Sequence, residues 1–127
     1  MAGTLVANTI NTDTGLFSTN NAYSGIAQAW VMLSLTGGAT TINKSFNVSS
    51  VTFITTGQFT VNFATALTDG NYAVAGSSSW DSGNGTVAGT VGMQGTGTKT
   101  SSACTFFAGN GTGSALNVTK VSVVFFD

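Results

Sequence analysis

The ionisable side chains in this 127-residue chain are Lys44, Lys99, Lys120, Asp13, Asp69, Asp81 and Asp127, the lone thiol Cys104, and the phenols Tyr23 and Tyr72. Histidine, arginine and glutamate are absent. General acid and base work near neutral pH relies on His or on a Glu shifted by its surroundings, so only aspartates are left for that role. Asp69 lies in Thr68-Asp69-Gly70-Asn71, a turn signature, and Asp127 is the last residue; both read as solvated. Hydrolysis of a polysaccharide would need two carboxylates roughly 5 to 10 Å apart, and it would require Asp69 and Asp81 to face one cleft. A cysteine nucleophile lacks its histidine, and a serine nucleophile has only lysines to serve as base. The chain therefore reads as not an enzyme, and Cys104 reads as a buried core thiol.

Binding chemistry is equally sparse. The stretch Ser77-Ser78-Ser79-Trp80-Asp81-Ser82-Gly83-Asn84-Gly85 offers one carboxylate to a cation, too few for a tight Ca²⁺ site, so no metal and no cofactor are expected. The glycine-rich run from Gly83 to Gly113 contains neither a Walker-type Gly-Lys-Ser/Thr nor a G-x-G-x-x-G opening a helix, which leaves phosphate cradling without support. Sugar rings stack on exposed aromatic faces while Asn, Asp or Ser side chains take their hydroxyls. Trp80, Asp81 and Asn84 supply those types, and Tyr23 would complete such a surface if it met them on one distal concavity. The competing reading of Trp80 is a packed rim residue.

The elements that would hold these residues are strands. In Gln58 to Phe63, Phe59, Val61 and Phe63 fall on one face and Thr60 and Asn62 on the other, the period of a strand with one wet side. Val48 to Thr55 is a second β-rich run, and Thr56-Gly57 between the two predicts a hairpin. Further strands are expected at Ile26 to Leu35, Thr41 to Asn47, Asn71 to Ser78, Thr86 to Met93, Ser102 to Ala108 and Leu116 to Phe126. No window keeps a 3.6-residue period. The expected fold is an all-β antiparallel sandwich, jelly-roll-like, spanning residues 26–127, preceded by an arm over residues 1–25.

Charged residues make up 6% of the chain, against roughly 25% in ordinary soluble domains. A formal net charge of −1 supplies no field to attract nucleic acid or an anionic membrane surface. No run approaches the roughly 18 apolar residues of a spanning helix. Near-zero charge favours association, which a subunit of a symmetric assembly can exploit. The closing run points the same way: Val121, Val123, Val124, Phe125 and Phe126 place apolar groups on both faces of one strand, so both faces must be covered. One cover is the chain's own second sheet. The other is a neighbouring subunit, unless the strand sits at the centre of the sandwich with a bulge near Lys120. Trp30, between Ala29 and Val31, is core or interface.

Several segments taken together resemble a known family. They are Ala27-Gln28-Ala29-Trp30-Val31, Ile42 to Phe46 with Asn47-Val48-Ser49-Ser50-Val51, Thr56-Gly57-Gln58-Phe59-Thr60-Val61-Asn62-Phe63, and Asp69-Gly70-Asn71-Tyr72-Ala73-Val74. In this order they are similar to the terminal knob domain of tail-fibre and virion-surface decoration proteins of phages infecting cyanobacteria and other aquatic bacteria. Gly3 to Ile10 resembles the lead-in to such knobs, and Val121 to Phe126 their closing strand; Thr86 to Gly113 has no counterpart. The resemblance implies a homotrimer on a virion surface. On that reading Val121, Val123, Phe125, Phe126 and Trp30 form the trimer seam, and Leu5, Val6 and Ile10 in the arm fasten the knob to a major capsid protein or to a fibre or tail protein. An arm of some 25 residues is short for a fibre shaft, which favours capsid decoration. The alternative expectation is a receptor-binding tip that recognises host-surface glycan.

Overall fold

The computed structural model describes the backbone of residues 9–12, 15–18, 25–82, 85–95, 97–110 and 114–127, with side chains for all of these except 9–12, 15–18, 80–82, 85–88 and 90. The regular elements given for the described residues are strands: β1 (Thr9–Thr12), β2 (Gly15–Ser18), β3 (Ala29–Thr36), β4 (Ala39–Phe46), β5 (Val48–Thr55), β6 (Gln58–Phe63), β7 (Ala73–Ser82), β8 (Gly85–Met93), β9 (Lys99–Thr100), β10 (Ala103–Asn110) and β11 (Lys120–Phe126). The expected arm falls largely outside the described residues. Its described part, the β1–β2 hairpin, forms a small antiparallel sheet of its own.

The remaining strands form one antiparallel sheet in the order β4-β3-β11-β7-β8-β10-β6-β5, with β9 added on β10. β7, β8 and β10 are successive neighbours, and β11 returns through residues 111–119 to lie beside β7, which is a Greek-key arrangement. The sheet folds over so that its two halves face each other, giving a β-sandwich-like body. Phe125 of β11 shows this directly, since its ring meets Phe63 of β6 at 4.8 Å and Phe106 of β10 at 5.8 Å between centroids, both edge-on. Strict alternation supplies the core. β3 buries Ala29, Val31, Leu33 and Leu35, β6 buries Phe59, Val61 and Phe63, and β11 buries Val121, Val123 and Phe125.

Local chemistry sets the turns. The β5–β6 hairpin forms where the sequence predicts it, with Thr55 opposite Gln58 and Gly57 at φ 70°. Gly37 and Gly38, at φ 60° and 81°, close β3 onto β4 in the two-residue loop that demands positive φ twice. The expectation that the next strand runs through Asn47 fails by one residue, because Asn47 takes φ 52° and turns the chain from one half of the sandwich to the other.

Asn47 does more than turn the chain. Its Nδ2 donates to the carbonyls of Gln28 (3.1 Å) and Thr65 (3.0 Å), and its Oδ1 accepts from the Thr65 N–H at 2.7 Å. One side chain thus ties the entry to β3, the β4–β5 corner and the exit from β6. Asn47→Ala removes three hydrogen bonds of about 1 kcal/mol each and adds the left-handed penalty of about 1 kcal/mol for a residue with no compensating side chain. We expect a loss of about 3–4 kcal/mol in urea unfolding, with Asn47→Gly retaining about 1 kcal/mol of it because glycine accepts the φ. Equal losses for the two variants would show that the backbone conformation contributes nothing.

Candidate functional site

The two outer surfaces of the sandwich differ in chemistry, and the strand register shows how. On β3 the residues out of phase with the core are Trp30, Met32, Ser34 and Thr36. Trp30 stands opposite Phe46 on β4 and Val124 on β11, and Val124 stands opposite Ala75 on β7, so one row across four strands reads Phe46, Trp30, Val124, Ala75. The adjacent row reads Lys44, Met32, Ser122, Ser77. Phe126, two residues beyond Val124 on β11, extends the apolar row toward the end of the sheet where β3 begins. Phe46 and Met32 are 54% and 47% exposed, while Trp30, Val124 and Phe126 are half-buried. This is a contiguous apolar face on a surface that a lone sandwich would keep polar.

The other half carries hydrogen-bonded hydroxyls and amides on β5, β6 and β10, together with two exposed apolar side chains, Ile54 on β5 and Met93 on β8 (51% and 50%). Thr52, Thr60 and Thr105 stand in one row across β5, β6 and β10, and the Thr60 and Thr105 hydroxyls share a hydrogen bond of 2.9 Å. Asn62 Nδ2 donates to Ser50 Oγ and Thr52 Oγ1, each at 3.1 Å. Thr105 is itself buried, 4% exposed, and its Oγ1 also accepts from the Thr98 N–H at 3.2 Å, so this network lies partly beneath the surface.

Lys44 belongs to the apolar face. It lies on β4, the end strand of the sheet, where lysine discourages edge-to-edge pairing with another chain.

Among the described residues, Cys104, Tyr72, Asp69 and Asp127 make contacts within the fold. Cys104 is buried, and burial pushes its thiol pKa up, so the thiol stays protonated and unreactive at neutral pH. Burial raises the Tyr72 phenol too, with Cys104 as its neighbour, and the Tyr72 hydroxyl lies 3.1 Å from the Thr100 carbonyl and 3.2 Å from that of Ala103. Lys99 Nζ stands 4.8 Å from the centre of the Tyr72 ring, a cation–π contact. Asp69 is exposed, and its carboxyl is held below the usual range by the Asn71 backbone N–H first, then by the Asn71 side chain, with the charge of Lys99 a smaller influence. This is an Asx turn. The Asp127 carboxylate accepts from the Thr68 N–H. Among the described residues there is no pocket and no cluster of metal-ligating side chains.

The residues singled out from the sequence are distributed as follows. Val121, Val123 and Phe125 are at most 2% exposed and lie in the chain's own core, so the expectation that they line a subunit seam is corrected. Side chains already covered by the opposite half of the sandwich have no surface left to offer a neighbour. β11 is a central strand, between β3 and β7, and its pairing runs without a bulge at Lys120. Trp30 and Phe126, from the same expected set, are on the outer face. Trp80 and Asp81 are placed by backbone on β7, opposite Val87 and Thr86, and their side chains lie outside the described residues, as do Asn84 and Tyr23 altogether. Leu5 and Val6 lie outside as well, and Ile10 sits on β1 opposite Phe17. Met32 and Phe46 were not singled out, and Val124 was named only as one of the closing strand's apolar residues. Their signal was present in β3, where Trp30 and Met32 occupy the phase opposite to Val31, Leu33 and Leu35. Compared with known proteins, the chain matches no family model, no curated protein and no solved structure.

Proposed function

We propose that this protein is a structural subunit of a phage virion surface, a homotrimeric, jelly-roll-like knob that works by associating with copies of itself and with a neighbouring capsid or fibre protein. The reading is carried by the apolar row Phe46, Trp30, Val124 with Met32 beside it, on the outer face of a sheet whose inner face already fills the core. Burying an exposed side chain of this size contributes about 1 kcal/mol or more for the half still in water, which favours covering this face. The net charge of −1 offers little repulsion between copies. The resemblance to virion-surface knobs supplies the setting.

The test is the double substitution Met32→Lys, Phe46→Lys. The wild-type chain should sediment as a trimer, and the double variant as a monomer with a melting curve close to that of the isolated subunit, because both side chains lie outside the core. An unchanged sedimentation coefficient would remove this face from the assembly. Locating the chain in a reconstruction of the intact particle tests the setting: density at three-fold capsid positions supports decoration, and density at the tail tip alone replaces it with host attachment.

A further inference from the structure

We draw no further inference here: the strongest candidate, the apolar outer face of β3, β4 and β11 that carries Trp30, Met32, Phe46 and Val124, belongs to the self-association already proposed, and nothing in the structure shows what covers it.

Discussion

Gly57→Ala is expected to destabilise the protein by about 3–5 kcal/mol, a large part of the roughly 5–15 kcal/mol that holds a domain together. A Cβ at this position would lie 2.3 Å from the Ala108 carbonyl oxygen and 2.9 Å from the Leu116 nitrogen, both backbone atoms. Neither can rotate away as a side chain tip would. The surrounding bonds hold that approach: Ala108 N–H donates to the Gly57 carbonyl at 2.6 Å, and Gly57 N–H donates to Asn117 Oδ1 at 3.0 Å. At φ 70° the residue also has the left-handed backbone that alanine adopts at a cost of about 1 kcal/mol. Gly37→Ala is the control, because its φ is 60° and an added Cβ meets nothing within 4 Å. It should lose only about 1 kcal/mol in urea unfolding. Similar losses at the two positions would mean that the loop bearing Leu116 moves aside freely and that the contact with Ala108 is not a constraint.

The second large effect is expected at Phe125. Its ring is fully buried and makes edge contacts with Phe63, Tyr72 and Phe106, at centroid distances of 4.8, 5.8 and 5.8 Å. Phe125→Ala should cost about 3–5 kcal/mol through the lost contacts and the cavity left behind, and Phe125→Asp should abolish folding because an unpaired carboxylate cannot be held there. The sequence alone casts Phe125→Asp as a change of oligomeric state. The structure makes it a change of core, and the neighbouring position separates the two effects. Phe126→Asp, one residue on and half-buried on the outer face, should leave the subunit folded and weaken its association. Thermal melting and sedimentation on the same samples distinguish them. A Phe125→Ala protein that melted like wild type but sedimented as a smaller species would return Phe125 to the seam.

What separates Phe125 from Phe126 is phase, and phase within a strand is a local property that a sequence exposes well when one face is polar. Gln58 to Phe63 is such a strand: Thr60 and Asn62 declare the wet side, and the burial pattern follows. The hairpin with Val48 to Thr55 is legible for the same reason, with Gly57 marking the turn. Trp30 and the closing run are not legible in this way, since both phases are apolar there. Which phase becomes core depends on which strands lie opposite.

The sequence by itself determined that this is an all-β chain, because period-2 runs and glycine or asparagine turns are written in short stretches. It also determined that the chain carries little charge and no histidine, and that its last strand is apolar in both phases. Only the tertiary structure decided which phase enters the core. Placing β11 between β3 and β7, and folding that half of the sheet against β6 and β10, assigns Val121, Val123 and Phe125 to the core and leaves Trp30, Val124 and Phe126 beside Phe46 on the outside. The physical reason is that strand order is set by long-range pairing across the whole chain, so residues as far apart in sequence as Phe46 and Val124 become one surface only when the sheet has formed.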